Sequence, residues 1–421
     1  MSRLFNRRSM MGMTGGALSA ASVLSSSHAH AKLKNDFEPR GGDGIWERLP
    51  TLDLESYDEM STSTRKWVNG ALARAAQQRA NEIMIKHGMK PDQQISFEDA
   101  TKLMSNDPVI AMRASSWQRL QWHMWQELRR EFYSNYDAYM TEMETADKSG
   151  PGTLELNPGI EPEYTKHEIH MQPGGYTGDP FAGHMYLYGT ANFYVGQNYQ
   201  DQGHAALAAA VPVPADGKVR RILDAGCSCG QQVVALKRRF PEAEVWGVDI
   251  GAPMVRYAHM RAVDNGVDVN FRHALAEKTG FPDGYFDIVT SYILHHEVTE
   301  EATYGIIRET ARVLRPGGVY FPVDVYSMPA RRALDGTAMR RIQDWITARW
   351  NHERWWYDYQ RSDFIGEMQR AGFKLNMDGP EASAYAINLS VAKSKDASGR
   401  PQALGDMTGQ GGQKNIMGTK I

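Results

Sequence analysis

A glycine-rich turn between two apolar segments is the feature that most constrains the fold of this chain. Residues Ile222–Gly230 have the sequence Ile-Leu-Asp-Ala-Gly-Cys-Ser-Cys-Gly, and the next apolar segment ends on Asp249. An apolar strand that leads into such a turn lets backbone N–H groups and a helix N-terminus approach a ligand closely. An acidic residue about 20 residues further on can accept hydrogen bonds from ribose hydroxyls. The two segments together predict an α/β fold with a nucleotide-type cofactor site.

The spacing of the glycines bears on the identity of this cofactor. Dinucleotide-binding turns have the pattern G-x-G-x-x-G, in which the third glycine permits close packing of a helix on a strand. In this chain Ser228 occupies the middle small position, and the third glycine of that pattern is absent. The spacing therefore disfavours a NAD(P)-dependent oxidoreductase, which stays as an alternative class.

Further motifs follow the glycine turn in a characteristic order. They are Ala276-Glu277, the segment 281–289, Leu294-His295-His296 and the segment 312–318. As an ordered set they resemble the class I S-adenosylmethionine-dependent methyltransferases, especially the ubiquinone/menaquinone-biosynthesis methyltransferases. The resemblance extends over residues 218–393. It implies a Rossmann-like, mostly parallel sheet with antiparallel final strands, and S-adenosyl-L-methionine as the cofactor.

The resemblance also implies which residues bind the cofactor. Asp224 would hold its methionine end with the backbone at Ala225–Gly226, Asp249 would bind the ribose, and Ile250 would pack on the adenine. The full set implied is Asp224, Ala225, Gly226, Gly230, Asp249, Ile250, Ala276, Glu277 and Ser291. The chain departs from the family at Ser228, where a glycine is usual, and at Leu275, where an aspartate is common.

Two histidines follow the fourth predicted strand of the sheet. His295 and His296 would lie at the carboxyl edge, where open α/β sheets place ligands. A histidine with a pKa near neutral suits a general base that removes a proton from an attacking hydroxyl, so both are predicted catalytic residues; packing under the cofactor is the alternative. Glu297 next to them could add a metal ligand, as could His167, His170, His184 and His204, but no metal site is predicted.

The chain divides into segments of different character. Apolar residues at helical spacing predict helices over residues 52–87 and 108–147, within a helical N-terminal domain at 45–147. Residues 148–216 are rich in Gly, Pro and Tyr and are predicted to form a lid or pocket wall over the cofactor. Strands and helices alternate through the cofactor-binding domain at 217–393, which ends in two predicted strands, Lys374–Met377 and Tyr385–Ala392. The tail at 394–421 is predicted to be disordered.

Composition limits the partners of the chain. A net charge of −3 and a pI near 6.5 provide no basic field for nucleic acid. The chain has 10 tryptophans and 19 tyrosines, which favours a small apolar or aromatic acceptor. The two cysteines, Cys227 and Cys229, lie in the glycine turn, where packing beneath the cofactor is expected.

The first 31 residues have the layout of an export signal. Arg7-Arg8 precede a weakly apolar stretch that is too short to span a membrane, and Ala29-His30-Ala31 fits a cleavage site. We therefore expect export to the periplasm by a twin-arginine route, with a cytoplasmic location as the alternative.

The favoured function is methylation of a small, largely apolar or aromatic acceptor, with O-methylation preferred. Export would separate the protein from a cofactor that is made in the cytoplasm. The second hypothesis is therefore a non-catalytic binding or sensing protein on the same scaffold.

Overall fold

The computed structural model describes residues 52–196, 198, 201–324, 336–380 and 415–421. It also describes a short antiparallel pairing of Asn35–Asp36 (β1) with Trp46–Glu47 (β2). The predicted signal segment and the predicted strand at Tyr385–Ala392 lie outside the described residues. Across the described ranges, no helix is both long enough and apolar enough to cross a membrane.

The N-terminal region is helical, as its apolar periodicity predicts. Helices α1 (Leu52–Trp67) and α2 (Ala73–Lys86) are joined by a π-helical turn, so the helix predicted over residues 52–87 is confirmed. The helix predicted over residues 108–147 is interrupted at Asn135, where φ is −125°. Its two parts are α4 (Pro108–Ser134) and α5 (Tyr136–Ala146).

Several short elements were not predicted from the sequence. Between α2 and α4 lie β3 (Gln94–Ile95) and α3 (Phe97–Met104), which begins at an N-cap where Ser96 accepts from the backbone N–H of Asp99. The pocket segment at 148–216 contains β4 (Leu154–Glu155), α6 (Ala182–Phe193) and α7 (Gln202–Ala210). Helix α6 is buried along most of its length, which explains why it shows no amphipathic pattern.

An eight-stranded sheet forms the centre of the protein, in the order β11-β12-β9-β8-β5-β6-β7-β4. The pairs among β9, β8, β5, β6, β7 and β4 are parallel, and β12 pairs antiparallel with both β9 and β11. This confirms a mostly parallel sheet with antiparallel final strands. The strands not yet given are β5 (Arg221–Ala225), β6 (Glu244–Asp249), β7 (Asn270–His273), β8 (Phe286–Tyr292), β9 (Leu314–Val323), β11 (Phe373–Asn376) and β12 (Met417–Lys420).

Helices cover both faces of this sheet, because successive strand residues point to opposite sides. Ile222 packs with residues of α8 (Gln231–Arg239) and α9 (Ala252–Asp264). Leu223, its neighbour, packs on the other face with α10 (Glu300–Val313) and α13 (Phe364–Arg370). Apolar residues on both sides of each central strand explain the nearly continuous hydrophobic runs in the sequence.

The helical insert after β9 joins the N-terminal helices. It contains β10 (Gly336–Thr337), α11 (Ala338–Trp350) and α12 (Trp356–Arg361), and β10 pairs with β3. Ile342 and Ile346 of α11 share a core with residues of α2, α3 and α4. The N-terminal region and the insert therefore form one helical layer, although residues 148–335 separate them in sequence.

The prediction of a disordered tail is wrong at its end. Met417–Lys420 forms β12, which inserts between β9 and β11 and supplies the antiparallel strand. Ile416 is 2% exposed in the core that packs against α10 and α13. A segment of four residues is too short to show a strand period, so its pairing depends on the sheet that receives it.

Candidate functional site

A cleft opens at the carboxyl ends of β5, β6 and β8. It contains about 780 Å³ of space between protein atoms, part of it open to solvent. The pocket segment supplies one wall and the sheet supplies the other. From the sheet side the lining residues include Gly226, Ser228, Asp249, Ile250, Leu275, Ala276, Glu277 and Glu297. Five of the nine predicted cofactor-binding residues thus lie on one cleft, namely Gly226, Asp249, Ile250, Ala276 and Glu277.

The glycine turn brings the backbone close to this cleft. Gly226 has φ of +72°, and its N–H donates to the carbonyl of Val248 over 2.9 Å, which fixes the turn against β6. Gly230 has φ of +74°, and a Cβ there would lie 2.7 Å from Phe271 and 2.9 Å from Ala258. Gly230 does not line the cleft, and the absence of a side chain there lets Phe271 and Ala258 pack closely behind the turn.

Asp249 presents its carboxylate to the cleft at the end of β6. One oxygen accepts from the Ser228 N–H at 2.9 Å and the other from the Gly251 N–H at 2.8 Å. Burial raises the pKa of Asp249 to about 6, and these two backbone N–H groups oppose that rise. Each carboxylate oxygen has a second lone pair, so the group can still accept hydrogen bonds from a ligand.

The segment after β7 forms the side of the cleft where the adenine was expected. Ile250, Leu275 and Ala276 provide an apolar surface there. Glu277 accepts a hydrogen bond from the Tyr164 hydroxyl at 2.6 Å, which ties the pocket segment to the sheet. The predicted Glu277 is therefore on the cleft, and its carboxylate already has a partner within the chain.

Three predicted cofactor residues lie beneath the cleft instead of lining it. Asp224 is 1% exposed and accepts from the Thr290 hydroxyl at 2.7 Å, and burial raises its pKa to about 7. Ala225 is buried in the core beside α10. The Ser291 hydroxyl lies 3.2 Å from the Tyr320 hydroxyl. Their side chains support the turn from below. The two cysteines, Cys227 and Cys229, are also buried there.

His295 does not occupy the predicted catalytic position. Its side chain does not line the cleft, is 1% exposed, and its Nε2 lies 2.8 Å from the Tyr320 hydroxyl. Burial lowers the pKa of His295 to about 4. The structure therefore gives His295 the packing role that sequence analysis held as the alternative.

His296 points in a different direction and is held by a buried aspartate. Its Nδ1 lies 2.5 Å from Asp324 Oδ1. Burial opposes protonation, but the carboxylates of Asp324, Glu353 and Glu297 together raise the pKa of His296 to about 10. The ring does not line the cleft; its Nε2 faces Glu297, which does. His296 is thus next to the site without touching the cleft, and it is not a free base near neutral pH.

Glu297 is the polar group that sequence analysis did not place on the cleft. Its Oε1 lies 2.9 Å from His170 Nε2 and accepts from the Tyr176 hydroxyl at 3.0 Å. Its only sequence signal is its position after the two histidines. His170 and Tyr176 come from a segment more than 100 residues away, so their arrival at Glu297 is a result of the fold.

Aromatic side chains form the wall opposite the sheet. Tyr164, Tyr176 and Tyr186 of the pocket segment line the cleft together with Tyr292, the last residue of β8. Tyr176 packs edge-on against Tyr186. The pocket segment thus contributes three tyrosines to one wall of the cleft. The cleft combines an apolar aromatic wall with a few convergent polar groups, which is the usual composition of a small-molecule site.

Comparisons with known proteins agree with this geometry. A family model described as a methyltransferase domain matches residues 222–318. The demethylmenaquinone methyltransferase of Thermus thermophilus is 38% identical over 110 residues, which cover 26% of this chain and 49% of that protein. The ubiquinone/menaquinone biosynthesis C-methyltransferase UbiE of Paraburkholderia phymatum is 30% identical over 177 residues, which cover 41% of this chain and 71% of that protein.

Solved structures are similar to this chain only at low identity. Phosphoethanolamine N-methyltransferase 2 of Haemonchus contortus, solved with S-adenosyl-L-methionine, is 18% identical, with 42% of this chain and 38% of that chain covered and a TM-score of 0.32. A likeness this low carries no argument. The chain spans 29% to 49% of the length of the first three curated relatives.

The chain belongs to the class I S-adenosylmethionine-dependent methyltransferases, because its match covers more than two thirds of the Paraburkholderia enzyme at 30% identity. The cofactor of this family is S-adenosyl-L-methionine. Family membership removes the nicotinamide-dependent oxidoreductase that sequence analysis kept as an alternative.

Proposed function

We propose that this protein transfers a methyl group from S-adenosyl-L-methionine to a hydroxyl oxygen of a small, largely apolar or aromatic acceptor. The cofactor supplies an electrophilic methyl group on a sulfonium. Displacement at that carbon requires the acceptor oxygen and the sulfur to lie in line with it, so the main task of the protein is positioning. The observation that carries the proposal is a single cleft with Asp249 on the sheet side, tyrosines on the opposite wall and Glu297 among them.

The cofactor end of the cleft follows from the geometry of the turn. Asp249 would accept hydrogen bonds from the ribose, while Ile250 and Ala276 would contact the adenine. Gly226 presents backbone without a side chain, and Asp224 supports that turn from below. The methionine end would then extend toward Tyr176 and Tyr186.

The acceptor end would contain Glu297 and the tyrosines. A phenol ring can pack against Tyr176, Tyr186 and Tyr292, and its hydroxyl can donate to the Glu297 carboxylate. His170 and Tyr176 hold that carboxylate in place. A carboxylate that accepts the hydroxyl hydrogen increases the negative charge on the attacking oxygen.

A second candidate is C-methylation of a quinol ring. The supporting observation is that two relatives are a demethylmenaquinone methyltransferase and a ubiquinone/menaquinone C-methyltransferase. A quinol carries the same hydroxyl that Glu297 would accept from, so the two reactions share an acceptor class and differ in the atom methylated.

Turnover with a panel of phenols and quinols tests the proposal. We expect consumption of the methyl donor, and NMR of the product distinguishes a methyl on oxygen from one on carbon. Glu297→Gln should lower turnover by about a hundredfold or more while cofactor affinity is retained. Glu301→Gln, an exposed carboxylate on α10, is the matched control. Cofactor binding without turnover on any acceptor would favour the non-catalytic binding protein.

A further inference from the structure

Two histidines and two glutamates from distant parts of the chain meet behind the cleft. His170 lies in the pocket segment, His296 and Glu297 follow β8, and Glu353 follows α11. We call these four residues the His–Glu cluster. Only Glu297 among them lines the cleft, so the other three lie beyond the site described above.

The potential ligand atoms of this cluster face one another across a small space. The ligand atoms of His170, His296 and Glu297 all lie within 4.8 Å of one another. His296 Nε2 is 3.9 Å from Glu297 Oε1 and 3.8 Å from Glu353 Oε2, while His170 Nδ1 is 3.5 Å from Glu353 Oε1. The first two separations are too long for hydrogen bonds.

Glu353 provides a second, independent observation. Its side chain is 7% exposed, and its Oε2 is a buried oxygen without a hydrogen-bond partner. Its other oxygen accepts from the Asn351 side chain at 2.8 Å. A buried carboxylate oxygen without a partner is costly, and such a group points to a ligand when it faces other ligating atoms.

His296 is oriented as a metal-binding histidine would be. Asp324, whose side chain is fully buried, holds Nδ1 and leaves Nε2 directed at Glu297 and Glu353. A carboxylate on one ring nitrogen fixes the tautomer and orientation with which the other nitrogen binds a metal. Asp324 therefore supports His296 in the way that a carboxylate supports a metal-binding histidine.

We propose that the His–Glu cluster binds one divalent first-row transition metal ion, of the Zn²⁺ or Co²⁺ kind. Two imidazole nitrogens favour these ions over Mg²⁺ and Ca²⁺, which prefer oxygen ligands. Ligand atoms about 2.0–2.1 Å from a tetrahedral ion are roughly 3.4 Å apart. The separations of His296 Nε2 from Glu297 Oε1 and from Glu353 Oε2, 3.9 Å and 3.8 Å, need a small contraction to reach that spacing. His170 would bind through Nε2, since its Nδ1 lies 2.8 Å from the Asn351 amide nitrogen, and the 2.9 Å between Nε2 and Glu297 Oε1 would lengthen by about 0.5 Å.

Binding of the ion does not depend on the proposed function. Its effect on the acceptor end of the cleft does rest on that function. Glu297 belongs both to the His–Glu cluster and to the cleft wall. An ion held there would lie beside the acceptor end and would fix the Glu297 carboxylate. Asp324 acts through His296 and is a positioning residue.

Titration of the full chain with Co²⁺, after treatment with a chelator, tests the proposal. We expect saturation at one equivalent, with the visible absorption of Co²⁺ bound to nitrogen and oxygen ligands, and displacement of the Co²⁺ by Zn²⁺ but not by excess Mg²⁺. Glu353→Gln should weaken the affinity at least tenfold, and Asp324→Asn by about 10- to 100-fold. Glu309→Gln alters a buried glutamate outside the cluster and should leave the affinity unchanged.

Circular dichroism would first show that each variant is folded. Absence of one-equivalent binding, or equal affinity in folded Glu353→Gln and Glu309→Gln proteins, would overturn the metal proposal. A parallel titration with S-adenosylhomocysteine separates the two proposals. Cofactor binding without Co²⁺ binding overturns only the metal site, and Co²⁺ binding without cofactor binding overturns only the proposed function.

Discussion

At the scale of single residues, the proposed cofactor site relies most on the carboxylate of Asp249 at the end of β6. Asp249→Asn keeps a side chain of the same shape but removes its charge. Losing a charge-assisted hydrogen bond costs about 1.5–3 kcal/mol, so we expect S-adenosylhomocysteine to bind roughly 10- to 100-fold more weakly. Calorimetric titration measures this. Glu244→Gln, at the other end of the same strand, is the control, and equal affinities in both variants would refute the ribose assignment.

The raised pKa of Asp249 predicts that the affinity for the cofactor product depends on pH. Burial raises the pKa of Asp249 to about 6, so the carboxylate loses its charge as the pH falls through that value. Affinity for S-adenosylhomocysteine should therefore rise between about pH 5 and 7, and Asp249→Asn should remove the contribution of this group. The pKa of Asp249 is higher in the folded than in the unfolded protein, so between these two values the folded state binds more protons. The free energy of unfolding therefore falls as the pH rises from the unfolded pKa of 3.8 to the folded pKa of about 6. Titrations at several pH values check the sign, and an affinity that falls toward pH 7 would contradict it.

Ser228 shows how a departure from the family pattern appears in the structure. Its φ is +50°, a left-handed conformation that glycine adopts without strain. We expect Ser228→Gly to raise the free energy of unfolding by up to about 1 kcal/mol and to retain cofactor binding, whereas Ser228→Val should lower it, because branched side chains fit this conformation poorly. Thermal unfolding measures both, and a more stable valine variant would contradict the strain argument.

Sequence reasoning succeeded for residues in local motifs and failed for residues brought together by the fold. Gly226, Asp249 and Ile250 were predictable because a strand, a turn and the next strand fix their relative positions. The Glu297–His170 contact could not be predicted, because it joins segments 127 residues apart. His295 and His296 are adjacent in sequence, yet only the structure shows that one packs on Tyr320 and the other faces Glu297.

At the scale of elements, the periodic strands and helices of the cofactor-binding domain could be predicted from the sequence. Helix α8, Gln231–Arg239, is one of the helices that alternate with strands there. Helix α6 was missed because it is buried on nearly all sides and has no polar face. Strand β12 was missed because four residues form a strand only where β9 and β11 offer unpaired edges.

Removal of residues 415–421 tests the importance of β12. Ile416 is 2% exposed, and burial of such a side chain contributes about 1.5–3 kcal/mol. The truncated protein should unfold at a clearly lower temperature, since it also loses the pairing with β9 and β11. Removal of Ile421 alone, which is 80% exposed, should have little effect. Equal melting temperatures would show that β12 does not support the sheet.

The helical layer formed by the N-terminal region and the insert can be tested by a substitution in its shared core. Ile342 of α11 is 1% exposed in the core shared with α2, α3 and α4. Ile342→Ala should cost about 2–5 kcal/mol, because it leaves a cavity between the insert and the N-terminal helices. Ile85→Ala, at a position 62% exposed on α2, should cost less than about 0.5 kcal/mol. Denaturant unfolding compares them, and similar losses would argue against a shared core.

At the scale of the whole molecule, we propose that the chain is exported through its twin-arginine segment. Such a route carries folded proteins, so the cofactor could be bound before export. We expect a mature N-terminus at Lys32, which N-terminal sequencing of the native protein determines. Replacement of Arg7 and Arg8 by lysine should keep the protein in the cytoplasm. An uncleaved, cytoplasmic native protein would refute the export proposal and leave the methyltransferase assignment unaffected.

The central claim is that the cleft at the carboxyl ends of β5, β6 and β8 binds the methyl donor. A crystal structure of the full chain with S-adenosylhomocysteine tests it most directly. We predict that the ribose contacts Asp249, that the adenine lies against Ile250 and Ala276, and that the sulfur faces the side of the cleft that contains Tyr176 and Glu297. Ligand bound at another place, or a cleft that stays empty at saturating ligand, would contradict the account.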